Sequence, residues 1–461
     1  MDSGTGSSAD HIRDASLPGC ARNGSKASRS LVAVAQTRRS TKCVRGSEAP
    51  RLDEAPGPQH RPWADLPPDI LGVVAGRLAL LEDRARLRSV CRGWRAAARI
   101  HRRLPPCPPL LVLSDFSFFS FRSEGTLMGA CRRVPLPGRE TAGSGNVRCV
   151  GSFEGCLVGV KNNKSRYFGD LRCFLMNAFS QVVIRLPSPS CRSGAARSAD
   201  TLRTSLPIII NGSGVVNCAI NAAPCVMSFS KVILSSSPDS GSKCVVAALS
   251  NIKSAAKLAL WRSGMKSWCV CDGAWTADLI DIVFCQGKLF MLSFSKVTTD
   301  LLALEIADDN SGLMVSRVAF CAIERPEVSD GCWKNIWGIV EWRGKLLIVQ
   351  ICHGNDEFGE SFVEVKVFEA DLSRNPVRLT EIESLDGDCI FMSPSSSKSF
   401  RCHYGGGGGE GDLIYIFLGP SRLVYNMKDG TMAPFAADIP EDKLREADGK
   451  PMNPVWLFPS E

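Results

Sequence analysis

The segment EWRGKLLIV (residues 341–349) carries the pattern that decides the fold of most of this chain. Two earlier segments, FEGCLVGV (153–160) and FCQGKLFML (284–292), follow the same template. In each, an apolar or aromatic strand end is followed by one or two polar residues, a glycine, a variable residue, a leucine and an apolar strand. Glycine supplies the positive φ angle that a tight hairpin turn requires. The template therefore predicts three equivalent β-hairpins.

The region around these hairpins also has the pattern of short strands separated by Gly, Ser, Asn and Asp. Strand-like segments include LPIII (206–210), KVILS (231–235), CVVAAL (244–249), KLALW (257–261), SFVEVKVFEA (361–370) and LIYIFL (413–418). No long helical period interrupts them, which argues against a parallel βαβ fold. Recurrence of one glycine-turn hairpin per unit predicts an all-β domain, a β-propeller of about six degenerate blades. A β-sandwich, or a set of unrelated hairpins, is the alternative.

Composition narrows the class of protein. The chain has 461 residues, 44% of them hydrophobic and 22% charged, which is typical of a globular protein of two or three domains. The formal net charge of +8 comes from local basic clusters that we expect to be solvated, so nucleic acid is not expected as a partner. No apolar window is long enough to span a membrane, so a membrane is not expected either. The 20 cysteines are scattered through apolar runs. We expect buried thiols, which indicates a reducing compartment, cytoplasm or nucleus.

A helical segment precedes the strands, in DLPPDILGVVAGRLALLEDRARLRSVCRGWR (65–95). Its first predicted helix begins after two prolines and has one apolar stripe made of Ile70, Leu71, Val74 and Leu78. A second amphipathic helix has a stripe made of Leu87, Val90, Cys91, Trp94 and Ala98. A unit of about 40 residues rarely buries enough surface to stand alone. Uncovered apolar edges therefore predict a partner site, unless the helices only cap the strand domain.

Two segments of this region, LPPDILGVVAGRL and LRSVCRGWRAAA, together resemble an F-box, with its Leu-Pro opening and its Val-Cys-Arg-x-Trp-Arg close. The remainder resembles the β-propeller that follows the F-box in a large plant family, the KIB-type F-box proteins. The segments that carry this resemblance, in family order, are CFLMNAFSQVVIRLP (173–187), KVILSSSP (231–238), LALWRSGMKSW (258–268), LIDIVFCQGKLFML (279–292), GIVEWRGKLLIV (338–349), VFEADL (367–372) and SLDGDCIFM (384–392).

The resemblance and the patterns together give a domain plan of a small all-α domain followed by an all-β domain. We expect a disordered leader at 1–60, an F-box at 61–104, a KIB-type β-propeller at 105–435 and a tail at 436–461 that could close the propeller.

The resemblance also implies a function. The F-box would dock on the Skp-type adaptor of an SCF (Skp–cullin–F-box) ubiquitin ligase, and through it on cullin, while the propeller would hold an unknown protein substrate for ubiquitination. The adaptor-binding positions carried over from the family are Leu66, Pro67, Ile70, Leu71, Val74, Leu78, Leu87, Val90, Cys91 and Trp94. Leu66 and Pro67 would insert into the adaptor, and Val90 and Trp94 would support the second helix and part of the contact.

One alternative function remains open on the sequence. Gly72 and Gly76 lie inside the first helix, where each costs about 1 kcal/mol relative to alanine. The protein could therefore be a stand-alone β-propeller binding module with a degenerate F-box that does not join a ligase.

Catalytic chemistry is not indicated, and no cofactor or metal is expected. The pairs Cys352-His353 and Cys402-His403 have zinc-ligand residue types, but adjacent strand residues point to opposite faces, which makes joint ligation awkward. Asp281, a lone acid in the apolar run LIDIVF, is expected to be a buried, hydrogen-bonded carboxylate rather than a catalytic group. A nucleophile elbow or a paired-carboxylate pattern does not stand out. The sequence therefore predicts a non-catalytic adaptor subunit.

Overall fold

The structure is a computed structural model of the protein. It describes residues 63, 66–78, 81–100, 108–121, 127–137, 146–162, 172–188, 204–210, 214–220, 229–238, 244–252, 255–271, 278–294, 299–309, 312–323, 331–401, 411–418, 421–435, 439, 444–445 and 453–459. The predicted disordered leader at 1–60 lies outside the described residues. None of the described helices is both long and apolar enough to cross a membrane.

The helical region contains three helices, α1 (Pro68–Arg77), α2 (Leu81–Val90) and α3 (Arg92–Ile100). The prediction of one continuous second helix is wrong, because the backbone leaves helical geometry at Cys91. The Cys91 sulfur accepts a hydrogen bond from the Trp94 N–H at 3.4 Å, and its carbonyl accepts one from the Arg95 N–H at 3.1 Å. Cys91 thus holds the N-cap position of α3, and its side chain satisfies an N–H that has no partner within the helix.

The strand domain contains six sheets, the blades of a six-bladed β-propeller. Blade 1 contains β1 (Leu110–Val112), β2 (Ser117–Phe121) and β3 (Leu127–Arg133). Blade 2 contains β4 (Asn146–Phe153), β5 (Cys156–Asn162), β6 (Arg172–Asn177) and β7 (Val183–Leu186). A hairpin of β8 (Thr204–Ile210) and β9 (Gly214–Ile220) follows in the sequence. Blade 3 contains β10 (Phe229–Leu234), β11 (Val245–Ile252), β12 (Ala255–Arg262) and β13 (Cys269–Cys271).

Three blades remain, and blades 4 and 5 contain the longest strands, of up to 11 residues. Blade 4 contains β14 (Asp278–Cys285), β15 (Lys288–Phe294), β16 (Thr299–Asp309) and β17 (Gly312–Ala322). Blade 5 contains β18 (Cys332–Trp342), β19 (Lys345–Asn355), β20 (Ser361–Asp371) and β21 (Arg378–Glu381). Blade 6 contains β22 (Asp388–Ser393), β23 (Ser396–Arg401), β24 (Leu413–Leu418), β25 (Ser421–Asn426) and β26 (Met432–Pro434). The last strand, β27 (Val455–Leu457), belongs to the sheet of blade 1.

The inner strand of each blade faces the propeller axis. Strand β4 lies beside β10, β10 beside β14, β14 beside β18, β18 beside β23, and β27 beside both β23 and β4. These contacts close a ring. The predicted fold class, a small helical domain followed by a β-propeller of six blades, is confirmed.

The glycine template forms the turn between the first two strands in three blades. In each turn both central residues have positive φ, which defines the type I′ hairpin whose twist matches that of the strands. The central pairs are Glu154–Gly155 (39° and 79°), Gln286–Gly287 (49° and 75°) and Arg343–Gly344 (50° and 80°). The three predicted hairpins are therefore confirmed.

The C-terminal segment completes blade 1. Strand β27 pairs antiparallel with β1, placing Leu110 opposite Leu457 and Val112 opposite Val455. Trp456 is fully buried, and its backbone N–H donates to the Ser396 hydroxyl on blade 6 at 2.7 Å. Both ends of the propeller sequence thus meet in one sheet.

Candidate functional site

The helical domain has a core of its own. Ala75, Leu87 and Ala98 form this core, one from each helix, and Leu78 and Trp94 pack against it. These side chains have partners inside the domain and hold the three helices together.

A buried cation reinforces that core. Arg84 is only 6% exposed, and its Nε donates to the carbonyl oxygen of Leu78 at 2.8 Å, just past the end of α1. A cation at the C-terminal end of a helix satisfies an orphan carbonyl and interacts favourably with the helix dipole. Trp94 fixes the other end of the domain, because its indole N–H donates to the carbonyl oxygen of Trp63 at 3.1 Å.

Helix α1 has two apolar faces rather than the single stripe predicted. Leu71 and Ala75 point inward and are buried. Ile70, Val73 and Val74 are exposed, and their spacing of three and four residues places them on one side of the helix. We call these three residues, together with exposed Pro67, the α1 outer face. The prediction of one stripe is wrong because it combined residues from both faces.

The predicted adaptor-binding residues therefore fall into three groups. Pro67, Ile70, Val74 and Val90 are exposed; Leu66, Leu78, Cys91 and Trp94 are half-buried; Leu71 and Leu87 are buried. Sequence reasoning missed Val73, which is 54% exposed, and Trp63, which is 73% exposed. The signal for Val73 was its position three residues after Ile70 on the same helix.

The propeller contains an open cavity of about 610 Å³. Its lining includes residues from the inner strands of all six blades, which places it on the propeller axis. The volume lies in the range of about 300–1,000 Å³ that is usual for ligand pockets. We call this space the axial cavity.

One cation of the axial cavity lies between aromatic rings. The Lys398 ammonium lies 5.7 Å from the ring centre of Phe153 and 5.2 Å from that of Phe458. Burial lowers the pKa of Lys398, and the carboxylates of Glu154 and Glu341 partly offset that shift. Both glutamates also line the cavity. Within the described part of the protein, the Lys398 ammonium makes no ion pair and no hydrogen bond.

Ionic contacts between blades surround the axis. Asp281 on β14 accepts hydrogen bonds from the Lys231 ammonium on β10 and from the Ile339 N–H on β18 at 3.0 Å. It also accepts one from the Ile282 N–H at 2.8 Å. Asp281 is therefore a buried carboxylate with several partners that joins blades 3, 4 and 5, as the sequence predicted.

Cysteine chemistry differs in one place from the expectation of buried thiols. Cys332 and Cys352 are joined by a disulfide across β18 and β19, which leaves Cys352 no thiolate for a zinc ion. Cys402 and His403, the second pair considered for zinc, lie outside the described residues. The part of the protein that the structure describes holds no cluster of ligands suited to a metal.

At the axial cavity, burial raises the pKa of the Cys285 thiol to about 11, with a further contribution from Glu341. That thiol stays protonated at neutral pH.

Comparison with known families agrees with this architecture. Residues 63–105 match the family model of the F-box domain, and residues 118–437 match that of the KIB1-4 β-propeller. A search of the curated proteins finds no match to this sequence. The protein is thus an F-box protein whose second domain is a six-bladed propeller. It belongs to the KIB1-4 β-propeller family. F-box domains generally bind Skp1-type adaptors, and this combination of domains fits a substrate-receptor role and is typical of non-catalytic adaptor proteins.

Proposed function

We propose that this protein is the substrate-recognition subunit of an SCF-type ubiquitin ligase, with no active site of its own. The F-box domain would dock on a Skp-type adaptor, and through it on cullin, and the propeller would bind a protein substrate. The α1 outer face carries the proposal, because Ile70, Val73 and Val74 remain exposed although the helices already bury a separate apolar core. An apolar patch left uncovered by a domain's own packing is typical of a partner site.

The mechanism is proximity. A propeller held at a fixed place on the ligase would keep the lysines of a bound substrate near the charged ubiquitin-conjugating enzyme, at a high effective concentration. The protein's own residues would therefore bind and orient, and no bond would be made or broken on them. We propose the cytoplasm or nucleus as the site of action, where SCF partners and a mostly reduced set of cysteines would both be expected.

The test is co-elution of the purified full-length protein with a Skp-type adaptor, with Ile70→Asp and Val73→Asp as variants. Both residues are exposed, so the substitutions leave the helical core intact. Val182→Asp on the propeller is the matched control, because Val182 is 58% exposed and Val73 is 54% exposed. We expect the wild-type protein and the control to bind, and each α1 variant to lose at least tenfold in affinity.

Two results would overturn the proposal. The first is a folded wild-type protein that does not bind the adaptor, which would favour a stand-alone propeller with a degenerate F-box. The second is binding that the α1 variants leave unchanged, which would place the contact elsewhere.

A further inference from the structure

The axial cavity contains a cation, Lys398, to which the described residues supply no hydrogen-bond acceptor. Lys398 is partly buried, and its ammonium faces the rings of Phe153 and Phe458. Aromatic faces attract a cation but cannot replace the strong hydrogen bonds that its three N–H donors make with water. An ammonium that is partly removed from water, and that has no carboxylate partner among the described residues, would be stabilised by a ligand that supplies one.

The surrounding charges limit what that ligand can be. Glu154 and Glu341 both act electrostatically on Lys398, but neither comes within ion-pair distance of it among the described contacts. The lining thus holds two cations, Lys398 and Arg262, against two carboxylates, so a group carrying two negative charges, such as a phosphate, would bring more negative charge than Lys398 alone balances. A single carboxylate could reach Lys398 at a smaller repulsive cost. The apolar lining, which includes Phe284, Ile306 and Phe458, favours an uncharged apolar neighbour beside that carboxylate.

We propose that the axial cavity is the substrate-binding site and that it takes one carboxylate of a peptide segment, with an adjacent apolar side chain, onto Lys398. This inference rests on the proposed function in one respect, namely that the ligand is a polypeptide. The carboxylate could belong either to the side chain of an Asp or Glu residue, or to the C-terminus of a polypeptide. Both offer the same group to the ammonium, so the experiment must separate them.

The test uses two pools of randomised nonapeptides, all acetylated at the N-terminus. One pool is amidated at the C-terminus, and the other has a free C-terminal carboxylate. Both pools are selected on the immobilised full-length protein. If the ligand is a side chain, we expect Asp or Glu next to an apolar residue to be enriched in the amidated pool. If it is a terminus, enrichment appears only in the free-acid pool. A phosphoserine peptide with the selected sequence should bind more weakly than the Asp or Glu form.

Lys398→Met is the decisive variant, and Lys345→Met is its matched control. Lys345 also lies over an aromatic ring, that of Trp342, but it is paired with Glu369 at 2.8 Å and does not line the cavity. Selected peptides should lose at least tenfold in affinity for Lys398→Met and none for Lys345→Met. Because methionine removes a partly desolvated charge, Lys398→Met should unfold at the same temperature as wild type or higher, so weaker binding would not reflect misfolding.

The inference is overturned if neither pool is enriched, if the enriched peptides lack a carboxylate, or if Lys398→Met binds them as wild type does. Adaptor co-elution measured on the same preparation separates this failure from failure of the proposed function. If the protein binds the adaptor but no acidic peptide, only the proposal about the ligand of the axial cavity is refuted. A protein that binds acidic peptides but no adaptor would refute the ligase role and leave the ligand site standing.

Discussion

Asp281 and Lys231 form a buried ion pair between neighbouring blades of the propeller. The same carboxylate accepts the N–H of Ile339 from the next blade, so one side chain links three inner strands. Inner strands of different blades share no backbone ladder, and their junctions depend on side chains. This carboxylate therefore contributes to how the blades are spaced around the axis.

Removing either partner of this pair should destabilise the protein strongly. Loss of one member of a buried ion pair typically costs about 3–5 kcal/mol, because the other charge stays buried and uncompensated. We expect Lys231→Met to show a loss of this size in chemical denaturation. Asp281→Ala should lose more, since it also leaves the N–H groups of Ile282 and Ile339 without an acceptor.

The exposed pair Lys345–Glu369 gives the control for that experiment. Glu369→Ala should cost less than about 1 kcal/mol, as is usual for ion pairs at the surface. Equal losses for the buried and the exposed pair would show that Asp281 does not link the blades.

Gly76 offers a stabilising substitution in α1. A Cβ built at Gly76 meets nothing within 4 Å, so alanine fits without a clash. Gly76→Ala should raise the free energy of unfolding of the helical domain by about 1 kcal/mol, because alanine has the better helix propensity. The change can be followed by thermal melting detected by circular dichroism.

Gly159 provides a comparison for the same substitution in a strand. There a Cβ would lie 2.2 Å from the ring of Phe174, so Gly159→Ala should lower stability. If Gly76→Ala lowered stability as well, the space that the structure shows beside α1 would be incorrect.

Asp412 should contribute to the acid sensitivity of blade 6. Burial alone would raise the pKa of Asp412, but hydrogen bonds from the Leu385 N–H, at 2.6 Å, and the Ser384 hydroxyl, at 2.9 Å, outweigh it. The net result is a pKa below the ordinary value of 3.8. A carboxyl group whose pKa is lowered by folding stabilises the folded state fully above its ordinary pKa. That stabilisation is lost as the pH falls below 3.8 and through the lowered value.

The corresponding variant is Asp412→Asn, which keeps an acceptor and tolerates the backbone φ of 67° at this position. We expect it to be less stable than wild type at pH 7 and to lose less stability between pH 5 and pH 2, in urea titrations at each pH. An unchanged difference between the two proteins across that range would contradict the prediction.

Trp456 should be essential to closure of the ring. Its indole N–H donates to the carbonyl oxygen of Met392 at 3.1 Å, and its rings contact Phe391 and Phe435. Trp456→Ala should cost about 3–5 kcal/mol, in keeping with large-to-small changes in a packed core.

Trp63→Ala is the comparison for that variant, because Trp63 is 73% exposed. It should change stability by no more than about 0.5 kcal/mol. A Trp456→Ala protein as stable as Trp63→Ala would mean that β27 is not needed to close the propeller.

Sequence patterns succeeded wherever the deciding interaction is local. The turn at Gly344 was predictable because a type I′ turn needs positive φ at two adjacent residues, a property of neighbours in the sequence. The buried state of Asp281 was predictable from its apolar flanks. The helix boundary at Cys91 was missed because apolar periodicity continues through it, while the cap depends on where one sulfur atom points.

The pairing of distant strands was not predictable in the same way. The strand predicted at 206–210 exists, but its parallel pairing with β17, with Ile208 opposite Val318, joins segments far apart in the sequence. In blade 6, β22 and β24 also pair in parallel, which no short-range turn requires. Backbone hydrogen bonds between distant strands are almost independent of side-chain identity, so a pattern in one strand does not name its partner.

The sequence by itself determined the class of this protein: a small helical domain with an F-box pattern, followed by a propeller built from glycine-turn hairpins. Those features follow from periodicity and turn chemistry, which act over a few residues. Only the tertiary structure decided which face of α1 stays exposed. It alone also placed Lys398 beside Phe153 and Phe458 on the axis. Burial and electrostatic environment are properties of the packed protein, because they depend on what surrounds a side chain after distant strands have come together.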